Sequence, residues 1–415
     1  MNSVAVLSEV KLRHKKLGIL FCGVVIFFLT SMAKVLIPAT IFQDLLNLPM
    51  PVNRISALGA AFMYSYAGSQ LLMGCFSDRY GGVRILLIGG GLFTLGTIAF
   101  PLAGNFYLMI FFRILTGFGA GTIFLGVAKL LAELYPGSFG TALGLVLLWG
   151  YLGPTVGTVP MVKLVEAVQW KLAMILPGAV AFIPLLLIVL LCRGVIKPVS
   201  RGQTLEPLLV MIKNRYMWYV CLASASIYGA YYALVSQIGQ KIFSDVFARS
   251  SGQAAAYIMI LTIVVAVNNM GGNLFLKLLG SRRKAVILLG TMLSLAGVAG
   301  GFLALRCGWS CAFFAIAVTA VAIPAGFFPM LSLVAKELNL PQYTAMAVAF
   351  LNFMAFVFIS LYQNITGSVL KNFVPDPVSQ AFPVQAYSAV FGFFLIGAVI
   401  SLLASCLVPE TRDRH

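Results

Sequence analysis

Lys171-Leu172-Ala173-Met174-Ile175-Leu176-Pro177-Gly178-Ala179-Val180-Ala181-Phe182-Ile183-Pro184-Leu185-Leu186-Leu187-Ile188-Val189-Leu190-Leu191-Cys192 carries one charge at its start and none after it. A membrane-crossing helix needs about 20 mostly apolar residues. The run lacks the alternating polar positions that a strand of a membrane barrel would show. Its glycine and prolines do not argue against helix, because membrane helices tolerate both. Runs of the same kind recur on either side, at 17–43, 55–76, 84–104, 106–132 and 139–162 before it. After it come 215–241, 253–279, 285–305, 309–335, 343–371 and 384–408. Twelve crossings occupy the 415 residues and leave only short connections except two. The composition agrees. Apolar residues make up 61% and charged residues 9%, whereas soluble domains run near ~25% charged. The chain is therefore read as an all-α membrane protein of twelve transmembrane helices.

Lys and Arg accumulate in cytoplasmic loops. Of the 28 in this chain, one side takes nineteen: Lys11, Arg13, Lys15, Lys16, Arg79, Arg84, Lys129, Arg193, Lys197, Arg201, Lys213, Arg215, Lys277, Arg282, Arg283, Lys284, Lys336, Arg412 and Arg414. The other side takes Arg54, Lys163, Lys171, Lys241, Arg249, Arg306 and Lys371, while Lys34 and Arg113 fall inside spans. Both termini are expected to be cytoplasmic, in a multi-pass protein of a bacterial inner (plasma) membrane. The net charge of +17 is mostly this topology signal. No basic stripe interleaved with aromatics points to nucleic acid. Lys11 to Lys16 precede an apolar run without a small-residue cleavage site, so the first helix is read as retained. The seven cysteines lie mostly in or at the ends of spans, where a free thiol acts as a small hydrophobe. Cys307 and Cys311, at the outer ends of two successive spans, are placed where they could bridge in an oxidising compartment.

The longest interior connection follows the sixth span and divides the chain into 1–193, a cytoplasmic linker 194–214, and 215–415. Six plus six is the arrangement of carriers built from parallel repeats around a midplane site. The halves share a trace of sequence. Gly74-Cys75-Phe76-Ser77-Asp78-Arg79-Tyr80-Gly81-Gly82-Val83-Arg84 stands between spans two and three, and Gly280 with Arg282, Arg283 and Lys284 stands between spans eight and nine. With Gly81 set over Gly280, Lys277 replaces Asp78, so the second copy is degenerate.

Gly74-x-x-x-Asp78-Arg79-x-Gly81-x-x-Arg84 resembles the cytoplasmic loop signature of the major facilitator superfamily. Arg113-x-x-x-Gly117-x-Gly119 resembles that superfamily's fourth-helix motif, Gly153-Pro154-x-x-Gly157 its fifth-helix motif, and Pro409-Glu410-Thr411 a common ending after the twelfth span. Gly82-Val83 departs from the pattern where a basic residue is usual, and Thr158 replaces the last glycine of the fifth-helix motif. The resemblance implies two pseudo-symmetric six-helix bundles and a rocker-switch carrier whose first, fourth, seventh and tenth helices line a central cavity.

An intramembrane cation costs at least ~2.5 kcal/mol and marks a functional site by default. Lys34 and Arg113 lie at similar depth in the outer halves of spans one and four, where they could clamp one anionic group. Arg113 would grip a carboxylate or phosphate bidentately and Lys34 would act as a point charge. In the competing reading Lys34 snorkels to headgroups and Arg113 caps backbone carbonyls of a neighbouring helix. Asp78, Arg79, Arg84 and Glu133, at the cytoplasmic ends of spans two to four, are expected to form a gate network that breaks on switching. In span seven Tyr228, Tyr231 and Tyr232 share a helical face and, with Gln237 and Gln240, would line the cavity or pack as an aromatic belt. Asn268, Asn269, Asn273, Asn352, Gln363 and Asn364 read as interhelical glue, and Pro324 and Pro329 as bends in span ten.

None of the eleven acids falls in mid-span, and both histidines, His14 and His415, lie in the tails. The cargo is therefore expected to be a small organic anion or zwitterion, with or without a co-transported or exchanged ion, carried by a monomer in the lipid bilayer. An efflux antiporter for drugs or metal-chelating metabolites is the alternative. No catalytic constellation, no phosphate-binding loop and no dinucleotide fingerprint is present, so no enzyme, cofactor or metal is expected.

Overall fold

The computed structural model describes residues 2–41, 44–45, 50–135, 139–192, 206–278, 280, 282–340, 343–377 and 379–411. The side chains of residues 2–12, 38–39, 74–80, 132, 139–141, 143–144, 151, 159, 207, 270–278 and 344–345 are outside this description. The described residues hold helices and connections and no strand. Lipid offers the backbone no hydrogen bonds, so apolar runs of this length satisfy their own N–H and C=O groups as helix.

The helices of the first half are α1 (Asn2–Val35), α2 (Val52–Tyr80), α3 (Gly82–Ala99), α4 (Phe106–Leu134), α5 (Phe139–Val156), α6 (Val159–Val168) and α7 (Trp170–Leu191). A short α8 (Glu206–Lys213) follows within the predicted linker, where Arg193, Lys197 and Arg201 lie outside the described residues. The second half contains α9 (Arg215–Ala233), α10 (Gly239–Asp245), α11 (Ser251–Leu278), α12 (Arg283–Cys307), α13 (Cys311–Ala325), α14 (Phe328–Glu337), α15 (Thr344–Leu370) and α16 (Val384–Leu407).

Ten described spans are long and apolar enough to cross a membrane, and the pair α5–α6, bent by 50°, brings the number to eleven when taken as one. The twelfth expected crossing is α2. Its 29 residues reach about 43 Å at 1.5 Å per residue, but it is the least apolar of the long helices. Ser56, Ser69 and Gln70 lower its hydropathy, and all three are buried against neighbouring helices. Two expected single helices are broken. Pro324 ends α13, and Gly326 and Phe327 turn the chain into α14 through Phe327 N–H donating to Pro324 O at 2.9 Å. In the seventh crossing a π-helical turn, Leu234–Ile238, joins α9 to α10.

Internal repetition is visible in the backbone. Gly81 and Gly280, the two loop glycines, both take positive φ, 75° and 63°, a region favourable to glycine because it has no Cβ. A second π-helical turn, Leu36–Thr40, ends the first crossing at the place that Leu234–Ile238 holds in the seventh, and the two turns pack together.

Small residues let the membrane helices approach closely. At Gly119 a Cβ would run into the Phe93 and Gly89 backbone of α3, so the glycines of α4 serve packing. The halves meet along α2 and α15 and between α11 and the pair α5–α6. The hydrogen bonds joining them concentrate away from the Gly81 end. Gln237 donates to Ser56 Oγ, and Thr155 and Thr262 share a hydrogen bond of 3.1 Å. Nearer the middle Asn352 donates to Gln70 Oε1.

Candidate functional site: two buried cations

Lys34 occupies the last turn of α1, only 8% exposed. Its Nζ lies 4.5 Å from the Tyr66 ring centroid, 5.3 Å from Phe356 and 6.0 Å from Phe27, and donates to Tyr66 Oη at 3.4 Å. Tyr66 belongs to the first half and Phe356 to the second, so the ammonium sits where the halves meet. It does not snorkel. Among the described residues no carboxylate lies within ion-pair distance of it. Cation–π contacts return about 0.5–2 kcal/mol each, so the three rings offset part of the several kcal/mol that removing an ion from water costs.

Arg113 is 2% exposed. Its guanidinium stacks 4.6 Å from the Phe62 centroid and 5.8 Å from Phe100, and Nε donates to Leu58 O at 3.4 Å. The carbonyl contact expected of a structural arginine is thus present. It engages one donor only: Nη2 is buried with no hydrogen-bond partner. Leu58, Phe62 and Tyr66 recur every fourth residue and so form one face of α2. The Phe62 and Tyr66 rings are stacked with centroids 6.2 Å apart. The two cations therefore line one ladder of side chains, Arg113 a turn further from Gly81 than Lys34.

The tyrosines of α9 continue the ladder into the second half. Tyr232 lies 6.5 Å from Phe356 and 5.2 Å from Tyr231, and Tyr228 meets Phe328 edge-on at 6.0 Å. Gln237 does not stand open in a cavity. Its amide donates to Ser56 Oγ and, at 3.2 Å, to Gln363 O, and its Oε1 is buried without a partner. Gln363 donates to Ser236 Oγ at 2.8 Å, Asn364 approaches Tyr64 Oη at 3.5 Å, and Asn269 bonds Val265 O within its own helix. Gln240 lies further along, 3.3 Å from Ser251 Oγ.

At the Gly81 end half of the expected four-residue network falls outside the described residues. The side chains of Asp78 and Arg79 lie outside the described residues. Arg84 is exposed and forms no ion pair with a described residue. Glu133 accepts a hydrogen bond from the Gly82 backbone at the start of α3, where the helix dipole favours an anion. Burial raises the Glu133 carboxyl above its ordinary value, while Lys129 and the Gly82 bond pull it down less strongly. A raised folded-state value means that the native protein holds this proton more tightly than the unfolded chain. The resulting stabilisation is complete below the ordinary carboxyl range and is lost as pH rises through the raised value. Glu133→Gln should therefore flatten thermal stability against pH through the weakly acidic range, read by melting in detergent.

Two clusters were not legible as clusters. Near the far end of the seventh crossing, Lys241 and Asp245 form an ion pair of 3.2 Å with both side chains 7% exposed. Lys241 also donates to Gln380 O at 2.8 Å, and Asp245 accepts from Phe382 N–H at 2.8 Å and Tyr387 Oη at 2.5 Å. The sequence reading ended that span at 241 and placed Lys241 among outer-loop charges. The crossing extends to Asp245, so a buried carboxylate exists, already neutralised by its neighbour. At the opposite end Arg283 grips Glu337 at 2.9 Å, and the Glu410 carboxylate caps α12 by accepting Arg283 N–H at 2.9 Å and Lys284 N–H at 3.2 Å. Thr411 Oγ1 donates to Glu337 at 2.5 Å. The signals were the Pro409-Glu410-Thr411 ending and the degenerate loop after Gly280. Removing a cap costs about 1–2 kcal/mol, so Glu410→Ala should lower thermal stability by that amount and Glu410→Gln by less. Cys307 and Cys311 are both free, Cys307 exposed and Cys311 buried.

A family model described as Major Facilitator Superfamily matches residues 19–363. Among curated proteins the chain is similar to "Probable sulfoacetate transporter SauU" of Cupriavidus necator, 24% identical over 175 residues, covering 42% of this chain and 40% of that protein. It is also similar to "Quinolone resistance protein NorA" of Staphylococcus aureus, 23% identical over 250 residues, covering 59% of this chain and 60% of that one. The chain thus spans about two fifths and three fifths of these relatives' lengths. Among solved structures it is similar in fold to a bacterial homologue of the human lysosomal transporter Spinster in its inward-facing, unoccupied conformation. The TM-score is 0.74 at 15% identity, over 95% of this chain and 97% of that one.

Proposed function

The chain belongs to the major facilitator superfamily, and we propose that within it this membrane transporter moves a small organic anion or zwitterion through a site containing Lys34 and Arg113. It is an integral multi-pass membrane protein and a transporter rather than an enzyme. The observation carrying the substrate reading is the pair of buried cations without a carboxylate partner among the described residues. A structural cation would be neutralised as Lys241 is by Asp245; these two have no such partner among the described residues. Tyr228, Tyr231, Tyr232 and Gln237 supply hydrogen bonds and aromatic walls. Sulfoacetate, named for one relative, is an organic anion, which supports the class.

Residues 1–193 and 215–415 act as the two moving bodies and 194–214 as their linker, with both termini cytoplasmic in a bacterial inner membrane and the carrier working as a monomer. Ser56, Gln237 and Gln363 close the outer side in this conformer. Asp78, Arg79, Arg84 and Glu133, together with Arg283, Glu337 and Glu410, stabilise the inner side. Switching between the two requires only a modest free-energy difference.

A second reading, efflux of a drug by exchange, is favoured by one observation, the longer matched stretch with the quinolone resistance protein. Counterflow in proteoliposomes separates the two. Exchange of labelled carboxylates or sulfonates supports the anion site, and exchange confined to cationic amphiphiles refutes it.

A further inference from the structure

We propose that the groove between α11 and α13 binds an anionic glycerophospholipid, with the headgroup phosphate at Arg249 and one acyl chain running along the groove into the bilayer. The proposal is independent of the cargo. Both helices belong to spans apolar enough to cross a membrane, and Ile260 and Ile316 are 48% and 70% exposed on them. Residues exposed at that depth face acyl chains.

A cavity of about 360 Å³ lies between the two helices, lined by Tyr257, Ile260 and Leu261 of α11 and by Ile316, Thr319 and Ile323 of α13. A second, of about 250 Å³, continues past Tyr257 and Ile260, which line both, to Gln253 and Arg249. Together they form one groove with an apolar floor and a charged mouth. Thr319 Oγ1 donates to Ala315 O at 2.7 Å, so a hydrocarbon chain beside it strands no hydroxyl donor. Tyr257 stands where the cavities join, its ring stacked 4.3 Å from Phe243. An amphipathic ring suits the boundary between headgroup and chain.

The turn before α11 holds the mouth in place. Ala248 has a φ of 51°, and Arg249 N–H donates to Phe243 O at 3.0 Å, the bond that closes a helix through a left-handed residue. Gln253 Oε1 then accepts from Ser250 N–H at 3.3 Å, and Ser250 Oγ from Gln253 N–H at 3.4 Å. This capping box already occupies donors at the helix start, so the attraction for an anion rests on the Arg249 side chain. That side chain is exposed, and among the described residues no carboxylate forms an ion pair with it. Trp309, exposed just before α13, marks the headgroup level at the same end.

Charge selects the headgroup. Phosphatidylcholine brings its own cation to the phosphate, whereas phosphatidylglycerol leaves the phosphate to the arginine fork. One basic residue near the bilayer surface favours an anionic lipid about fivefold. Both walls of the groove lie in the second half, so a lipid seated there moves with that body. It braces α11 against α13 rather than driving the switch, because a ligand without differential affinity shifts no equilibrium.

The test places a tryptophan at the groove, in full-length Ile316→Trp protein in phosphatidylcholine bilayers with a varied fraction of brominated lipid, which quenches indoles at close range. The four native tryptophans are subtracted with the wild type. Brominated phosphatidylglycerol should quench the added indole with an affinity about fivefold above that of brominated phosphatidylcholine. Adding Arg249→Gln should bring the ratio to about one, and Arg249→Lys should keep most of the preference. A reporter at Leu95→Trp, exposed on α3 of the first half, should show a ratio of about one. Equal quenching by the two lipids at 316, a preference that survives Arg249→Gln, or the same preference at 95 overturns the proposal. A preference abolished by millimolar glycerol 3-phosphate assigns Arg249 to a soluble phosphate ester and overturns it as well. Arg249 and Ile316 are exposed, where substitutions disturb folding little. A second measurement leaves the groove unlabelled: native mass spectrometry with equal amounts of the two lipids should show less bound phosphatidylglycerol on Arg249→Gln than on wild type. Equal amounts on both contradict the proposal.

Discussion

Alanine at Arg113 is expected to lower anion uptake about 100-fold while leaving thermal stability equal to or above that of the wild type. The first half of the expectation follows from charge. Truncating one partner of a buried, hydrogen-bonded charge pair costs 2–5 kcal/mol, and about 2.7 kcal/mol is a factor of 100. The second follows from how few partners the chain itself gives Arg113. Arg113 has one hydrogen bond to Leu58 O, two aromatic rings and an unpartnered Nη2. Its desolvation is only partly offset within the chain, so removing it relieves a cost as well as losing packing. Stability–activity trade-offs of this kind belong to functional sites. Arg113→Lys, which keeps the charge without the bidentate fork, should fall between, with uptake reduced about tenfold. If Arg113 were a structural cap only, alanine would destabilise the protein and spare uptake by the folded fraction. Proteoliposome uptake and melting in detergent, measured on the same preparations, separate these cases.

The opposite pattern is expected at Asp245. Asp245→Ala would strand Lys241 as a buried, uncompensated cation and leave Phe382 N–H and Tyr387 Oη without their carboxylate acceptor. Breaking a buried pair by removing one partner costs about 3–5 kcal/mol, so a large fall in melting temperature is expected. The effect should be partly reversed in the double variant Asp245→Ala/Lys241→Met, in which no charge remains buried. Uptake per folded molecule should change little, because the cluster ties the end of the seventh crossing to the segment before α16 and lies beyond Gln237. A loss of uptake in folded Asp245→Ala protein would instead make this carboxylate part of the transport site. The contrast between Arg113 and Asp245 gives the central argument its physical content. Both are buried charges, but among the described residues one has an opposite charge beside it and the other does not.

How far these features could be read beforehand depended on whether they were local. Apolar runs such as 171–192 state their own conformation, because in lipid the backbone has no alternative to satisfying itself. The glycine loops after α2 and α11 were legible because Gly81 and Gly280 need positive φ, and the same positions recur in both halves. Lys34 and Arg113 stood out because a charge inside a span is rare. Their surroundings were not legible. Phe27 is seven residues from Lys34 on the same helix, but Tyr66 and Phe356 arrive from α2 and α15, and sequence spacing says nothing about which helices will touch. Arg283 with Glu410 and Gln237 with Ser56 were missed as pairs for the same reason. The length of the seventh crossing was misjudged at Lys241 because a charge there ends a hydropathy run, whereas in the fold Asp245 one turn later neutralises it and lets the buried helix continue. The relative polarity of α2 was readable, but its cause, burial of Ser56, Ser69 and Gln70 against other helices, was not.

The claim that the two buried cations select an anionic cargo is tested most directly by ligand-induced thermal stabilisation of the purified protein at constant ionic strength. Matched series of alkyl carboxylates, alkyl sulfonates, amino acids and alkylammonium ions would be compared on wild type and Arg113→Ala. The account predicts that anions or zwitterions raise the melting temperature of the wild type, saturating with concentration, and that the rise disappears in Arg113→Ala. Stabilisation by cationic amphiphiles alone, or equal stabilisation of wild type and variant by anions, would contradict it.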